Sequence, residues 1–315
     1  MKHYLNINNL DNLQNTVQEA ITLKKNELQF EHLGKGKTIC LLFFNNSLRT
    51  RLSTQKAAQN LGLNVIVMNF GSEGWQLEYE DGVVMNQDKA EHVKEAAEVI
   101  AQYCDFVAIR AFASLTDKEK DKAEIVLNNF KKYAGIPVIN MESATGHPLQ
   151  ALADAITIEE YKVAHKPKVV LSWAPHPRAL PHAVANSFVE MMQLQDADFV
   201  ITHPEGYELD TEITKNAKIE YNQKKAFENA DFVYVKNWSS FKDYGKVVCT
   251  DENWMINEEK MNVTNNGKFM HCLPVRRNVV VADEVIDSEN SIVIQQANNR
   301  TYSAQIVLKK ILENN

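Results

Sequence analysis

The sequence has few of the residues that announce the commonest cofactor sites. Only 11 of its 315 residues are glycine. None of them forms GxGxxG or GxxxxGK(S/T), which argues against a dinucleotide site or a phosphate-binding P-loop. Cysteine is scarce too. Cys40, Cys104, Cys249 and Cys272 lie far apart with no CxxC pair, so neither disulfides nor structural zinc are expected. His147, His176, His182 and His271 form no i, i+4 pair on a helix and have no thiolate pair beside them, so no metal site is expected. No apolar run is long enough to span a bilayer, and the N-terminus does not resemble a signal peptide. The 34 lysines and arginines are outnumbered by 41 acidic residues, for a net charge of −7. That balance implies no broad basic surface and so no nucleic-acid partner, but it leaves room for a local basic pocket that takes an anionic small molecule. A cytoplasmic protein with no membrane contact is expected.

What the sequence does contain is an alternation. Strand-like apolar runs at residues 38–44, 64–69, 105–110 and 137–140 are separated by helix-like runs, notably 91–103 and 118–133. A second series follows, with strands at 168–173, 198–202, 231–236 and 268–271 and helices that include 179–193 and 222–229. The opening segment, 1–33, reads as helical with Asp11 as a cap. Such alternation predicts an α/β protein with two doubly wound parallel-sheet domains. The helical stretch 148–163 would join the two domains. The expected boundaries are 1–150 and 151–299, with a last helix at about 300–315 that packs back on the first domain.

In doubly wound sheets ligands bind outside the carboxyl ends of the strands. After the first strand comes Asn45-Asn46-Ser47-Leu48-Arg49-Thr50-Arg51, opening a helix expected to run to Leu61. Free backbone N–H groups and the positive end of the helix dipole favour an anion there. Ser47 and Thr50 add hydroxyls, and Arg49 and Arg51 add planar forks suited to phosphate or carboxylate. Ser and Thr at a helix start are commonly plain caps, but arginines in a first turn run against the dipole and call for another reason. Arg110 ends the third strand, and Glu142 and then His147-Pro148-Leu149-Gln150 follow the fourth. In the second series the corresponding places hold Trp173-Ala174-Pro175-His176-Pro177-Arg178, Lys236-Asn237-Trp238 and His271-Cys272-Leu273-Pro274-Val275-Arg276-Arg277-Asn278.

His147 and Gln150 are one helical turn apart, so an imidazole and an amide could both hydrogen-bond a carbonyl and its NH2 group. The plainer alternative makes His147 a cap and Gln150 a solvated side chain. For Cys272 and His271 the plain reading is a buried thiol and a structural imidazole. A nucleophilic Cys272 lacks the Gly-rich turn expected of an oxyanion hole.

Three motifs in this order, Ser47-x-Arg49-Thr50-Arg51, His147-Pro148-x-Gln150 and His271-Cys272-Leu273-Pro274, resemble those of the aspartate/ornithine carbamoyltransferase superfamily over essentially the whole chain. The longer forms at 173–178 and 271–278 are similar to the branch that carbamoylates N-acylated ornithine. The resemblance implies a homotrimer with active sites at subunit interfaces, no metal or organic cofactor, and carbamoyl phosphate and an N-acylated ornithine as substrates. By the same resemblance Ser47, Leu48, Arg49, Thr50, Arg110, His147, Gln150, Cys272, Leu273 and Arg300 contact carbamoyl phosphate, with Trp75 reaching in from a neighbouring subunit. Glu142, His176, Lys236, Leu273 and Arg276 match the acyl-ornithine side. Arg49, Arg110, His147, Gln150 and Cys272 are the expected catalytic set.

Two departures bear on the substrate. Ornithine enzymes carry an Asp and a Ser-Met-Gly loop near Lys236, suited to a free α-ammonium, whereas a lysine repels an ammonium and suits a carboxylate or acyl oxygen. Acetyl-specific relatives place a glutamate at the position of Ala90, and succinyl-type relatives a proline. Ala90 matches neither, but it leaves space and adds no negative charge. Val280 likewise replaces a lysine of the acetyl branch. N-succinylornithine is therefore the expected substrate and N-acetylornithine the alternative. A non-catalytic relative that keeps only the anion pocket would be expected to lack one of Arg49, Arg110, His147 and Gln150, all of which are present.

Overall fold

The computed structural model describes residues 1–314. Asn315, which the sequence reading assigned to the final helix, lies outside them. The chain divides into two compact units. Unit 1 is Met1–Ser114, Lys118–Leu149 and Arg300–Asn315, and unit 2 is Leu115–Asp117 and Gln150–Asn299. The main boundaries, after Leu149 and after Asn299, fall inside the helices Pro148–Tyr161 and Val293–Leu312.

The strands of unit 1 are β1 (Thr38–Phe43), β2 (Asn64–Asn69), the two-residue β3 (Leu77–Glu78) and β4 (Glu91–His92), β5 (Phe106–Arg110) and β6 (Val138–Glu142). Four of them form a parallel sheet in the order β2-β1-β5-β6. β5 and β6 are buried at every position and β1 at all but its first, as expected of near-continuous apolar strands covered on both faces. β2 is the edge strand, and its exposure alternates at its start. The strand order reverses between β1 and β5, so the segments leaving those two strands diverge there and open a crevice at their carboxyl ends.

Unit 2 holds β7 (Lys168–Trp173), β8 (Asp198–Thr202), β9 (Lys218–Ile219), β10 (Phe232–Lys236) and β11 (Lys268–Met270). They form one parallel sheet in the order β11-β10-β7-β8-β9, packed on a core that includes Val170, Phe227, Val233, Val235 and Phe269. Its order reverses between β7 and β10, where Asn237 Nδ2 donates to Ala174 O at 2.7 Å. The expected α/β class with two doubly wound parallel sheets is what the chain adopts.

Several element limits differ from expectation, each for a local reason. The opening segment is helical only over Leu13–Lys25, and the cap is Asn12, whose side chain accepts from Asn15 N, rather than Asp11. Ahead of it Tyr4 is extended, donating through N to Val138 O and accepting from Asn140 N beside β6. The 118–133 helix is two, Lys118–Lys122 and Ile125–Tyr133, because Glu124 takes a left-handed φ of 48°. The carboxylate of Glu124 is used elsewhere: it accepts from Ser143 Oγ and Thr145 N, both at 2.7 Å. The last helix starts at Val293 rather than near residue 300. Its polar first turns look like a loop in sequence, yet Gln296 and Asn299 are fully buried and hydrogen-bonded.

Candidate active site

In unit 1 the segment leaving β1 turns into the helix Arg49–Asn60, which puts Arg49 and Arg51 in its first turn. No side chain caps this helix, so its first N–H groups keep their capacity for an anion. Half-buried Ser47 has no hydrogen-bond partner among the described residues, and Leu48 is exposed. Thr50 is buried, and its Oγ1 accepts from Arg300 Nη2 at 2.5 Å. Arg51 turns aside, with Nη1 3.4 Å from Asn69 Oδ1 and its guanidinium over the Phe43 ring.

Arg110, the last residue of β5, crosses the point where the strand order reverses. Its Nη1 donates to the carbonyls of Asn45, at 3.1 Å, and of Asn46. Its Nε donates to Glu142 Oε2 at 3.2 Å, and its guanidinium lies 4.1 Å from the Phe112 ring centre. Asn45 Oδ1 accepts from Phe112 N at 2.7 Å and so ties the two diverging segments together. Burial pushes the Arg110 guanidinium below its usual range and Glu142 pulls it back up, while nearby Arg49 pushes it down again. Arg49, Arg110 and Arg300 thus bring three guanidinium groups to one place, a setting that favours a bound anion.

His147, 2 % exposed, completes this group. Its Nε2 is 3.2 Å from Arg300 Nη2 and 3.5 Å from Glu142 Oε2. A guanidinium only donates, so Nε2 must carry the lone pair and Nδ1 the proton. Nδ1 is therefore the nitrogen able to donate to a substrate oxygen. The turn before His147 is held by Glu124 through Ser143 and Thr145.

In unit 2 Gln150 is buried, and its Nε2 donates to Asp154 Oδ1 at 2.7 Å. The same oxygen accepts from Gln296 Nε2 at 2.7 Å, and the amide oxygen of Gln296 accepts from His271 N at 2.9 Å. His271 Nδ1 in turn accepts from Leu273 N at 2.8 Å, which shapes a turn in which Leu273 has a left-handed φ of 55° and Cys272 is buried. A leucine there carries backbone strain, which the surrounding bonds must hold.

The ends of β7, β10 and β11 in unit 2 contribute cations. Arg276 Nε donates to His176 Nε2 at 3.2 Å, and His176 Nδ1 lies 2.9 Å from Arg178 O and 3.1 Å from Arg178 N. Burial lowers the His176 pKa, and the charges of Arg276, Lys236 and Arg178 lower it further. His176, Lys236 and Arg276 therefore share one electrostatic neighbourhood.

The structure thus gathers Thr50, Arg110, Glu142, His147 and Arg300 through hydrogen bonds, with Arg49 beside them, and separately gathers His176, Lys236 and Arg276. Trp75 is 57 % exposed, with Nε1 donating to Glu91 Oε2 at 2.8 Å. Ala90 is exposed, and its N donates to Gln76 O. No hydrogen bond links either of these two to the Arg110 group. Asp154, Gln296 and Glu124 were not singled out from sequence. For Asp154 a signal existed: it lies four residues after Gln150 and is the one acid in the stretch 148–158. Among the described residues no three His, Cys, Asp or Glu side chains gather around a point where a metal ion would fit, and no helix is long and apolar enough to cross a membrane.

Residues 2–160 match the family model for the carbamoyl-P binding domain of aspartate/ornithine carbamoyltransferases, and residues 181–311 match the model for their Asp/Orn binding domain. The chain is 52 % identical over 316 residues to the N-succinylornithine carbamoyltransferase of Bacteroides fragilis, covering 100 % of this chain and 99 % of that one. It is 36 % identical to the N-acetylornithine carbamoyltransferase of Xanthomonas axonopodis pv. citri, over 98 % of this chain and 96 % of that one. Among solved structures, a glutamate-to-alanine variant of N-acetyl-L-ornithine transcarbamylase, complexed with carbamyl phosphate and N-succinyl-L-norvaline, superposes with a TM-score of 0.92 at 35 % identity, covering 99 % of this chain and 100 % of that one. Motif order, the two parallel sheets and similarity along the full length agree: the chain belongs to the aspartate/ornithine carbamoyltransferase family.

Proposed function

We propose that the protein transfers the carbamoyl group of carbamoyl phosphate to the δ-amine of N-succinyl-L-ornithine, giving N-succinylcitrulline and phosphate, in arginine biosynthesis in the cytoplasm. One observation carries the choice of acyl group: the whole-length identity of 52 % to an N-succinylornithine enzyme against 36 % to an N-acetylornithine enzyme. Chemistry supports it. Alanine stands at position 90, where the resemblance puts a glutamate in acetyl-specific relatives. A relative with one glutamate changed to alanine was crystallised with a succinylated norvaline.

In this reading Ser47, Leu48, Arg49, Thr50 and the free N–H groups of the helix hold the phosphate, with Arg300 bracing Thr50. Arg110 and the Nδ1–H of His147 face the carbamoyl oxygen. Gln150, Cys272 and Leu273 contact the rest of the carbamoyl group. The neutral δ-amine attacks the carbamoyl carbon, the new C–N bond forms, and the C–O bond to phosphate breaks. Negative charge grows on the carbonyl oxygen and the leaving phosphate, where fixed guanidinium groups and N–H dipoles are most effective. The departing phosphate takes the amine proton, so no protein base is required and orientation supplies much of the rate. Lys236, Arg276 and His176, with Glu142, bind the acylated amino acid, and the cationic neighbourhood of the first three suits its α-carboxylate. The working form is a homotrimer in which Trp75 and the segment around Ala90 serve the neighbouring subunit's site, which fits their exposure.

Initial rates with carbamoyl phosphate and, in turn, N-succinylornithine, N-acetylornithine and ornithine test the proposal. Preference for the succinyl compound supports it. Preference for the acetyl compound keeps the mechanism and overturns the acyl assignment, and efficient turnover of free ornithine overturns the role given to Lys236.

A further inference from the structure

We infer that Asp154 is a positioning residue that turns the Gln150 amide so that its oxygen, not its NH2, meets the ligand, and that this orientation selects a carbamoyl group over other acyl phosphates. The inference rests on the carbamoyl phosphate reading above, and the family match for the carbamoyl-P binding domain extends to residue 160 and so includes both side chains.

The Gln150 amide ends a chain of hydrogen bonds whose directions are forced. The backbone N–H of His271 can only donate, so the Gln296 atom 2.9 Å away must be its amide oxygen. Gln296 must then present its NH2 to Asp154, and Asp154 Oδ1 accepts it at 2.7 Å. An oxygen that accepts from Gln296 offers its second lone pair to Gln150, also at 2.7 Å, so Gln150 must turn its NH2 inward as well. The orientation of Gln150 is thus fixed by a backbone amide two side chains away. Its Oε1 is left buried with no hydrogen-bond partner, in a side chain that is 1 % exposed.

A buried acceptor without a partner is costly unless a ligand donates to it. Phosphate ester oxygens cannot donate, and neither can the methyl of an acetyl group. The NH2 of a carbamoyl group can. Without Asp154 the Gln150 amide can rotate, and an outward NH2 would face the carbamoyl NH2, donor against donor. Asp154 needs no contact with the ligand for this effect. It acts through Gln150.

The test uses calorimetric titration of the full-length protein with carbamoyl phosphate, acetyl phosphate (a methyl in place of the NH2) and inorganic phosphate. The wild type should prefer carbamoyl over acetyl phosphate by about 10–100-fold, the range for satisfying one buried acceptor. Asp154→Ala should cut that preference about tenfold or more while acetyl phosphate and phosphate binding stay within about threefold of wild type. Adding Asp154→Ala to Gln150→Ala should change the preference no further, since the two residues act in series. Asp154→Asn keeps an acceptor at the place of Oδ1 and should retain the preference. An equal loss for all three ligands in Asp154→Ala, an unchanged ratio, or a lost preference in folded Asp154→Asn overturns the inference. If Asp154→Ala does not fold, Asp154→Leu, which fills the space and also removes the acceptor, takes its place: a reduced ratio supports the inference and an unchanged one overturns it. A wild type that binds neither carbamoyl phosphate nor phosphate would sink the proposed function itself, whereas normal wild-type binding with no variant effect sinks only this inference.

Discussion

Replacing Arg110 by methionine should damage stability and catalysis by separable amounts. The side chains of Arg110 and Glu142 are 9 % and 11 % exposed and are joined at 3.2 Å. Removing one partner of such a pair takes the ion pair and hydrogen bond from a buried carboxylate, at a cost of up to about 3–5 kcal/mol. The carbonyls of Asn45 and Asn46 also lose their donor, but Asn45 is half-buried and Asn46 exposed, so water can replace it and little is added. For domains of about 150–250 residues each kcal/mol corresponds to about 2–4 °C, so thermal unfolding should begin up to roughly 6–20 °C earlier. Activity should fall further, because a fixed charge at a developing oxyanion is worth about 10²–10³ in kcat. Circular dichroism melts and initial rates below the melting range measure the two effects. Adding Glu142→Gln to Arg110→Met should restore part of the melting temperature, by removing the carboxylate that lost its guanidinium, and none of the turnover. An Arg110→Met protein that melts within about 2 °C of wild type, or keeps kcat within about tenfold, would refute the reasoning.

Further expectations follow from the other residues of the two groups. Ala90→Glu should lower kcat/KM for N-succinylornithine about tenfold or more while sparing N-acetylornithine, since the added carboxylate repels only the former's extra charge; rates with both compounds measure it. Lys236→Met should raise KM for the acylated ornithine about 10–100-fold, the range for losing one hydrogen bond from a charged group, and titration should show carbamoyl phosphate affinity unchanged. His176 gives a pH signature. Its folded pKa lies below 6.5, because of burial and then the nearby cations, so below pH 6.5 the unfolded chain binds the additional proton. Stability should therefore fall as pH drops through that window and be level above it. Urea unfolding at pH 7.5 and 5.5 should show a smaller fall for His176→Gln than for wild type, and an equal fall would count against the lowered pKa.

Much of the architecture was legible because the central strands are continuous apolar runs between polar, helix-forming segments, and such runs have few ways to be buried. β3, β4 and β9 were missed because each is only two residues long and exists by pairing, which leaves no periodic trace. Glu124 could not be read as a helix break, since a left-handed glutamate is tolerated only where its carboxylate has other donors to serve. The start of the last helix was hidden for the opposite reason: Gln296 and Asn299 look like loop residues until their buried partners are known. The anion site expected after β1 rested on two arginines in a first turn, a local electrostatic oddity; Arg51 turns to Asn69 and Phe43 instead.

The sequence by itself determined the α/β class, the parallel sheets, the carboxyl-end location of the candidate site residues and the three motifs, because these depend on periodicity and on neighbours close in the chain. Only the tertiary structure decided which atom of each residue is available. Arg300 sets the tautomer of His147, and His271 N, through Gln296 and Asp154, sets the face of Gln150. Hydrogen-bond direction depends on partners far along the chain, and the residue letters carry no record of it.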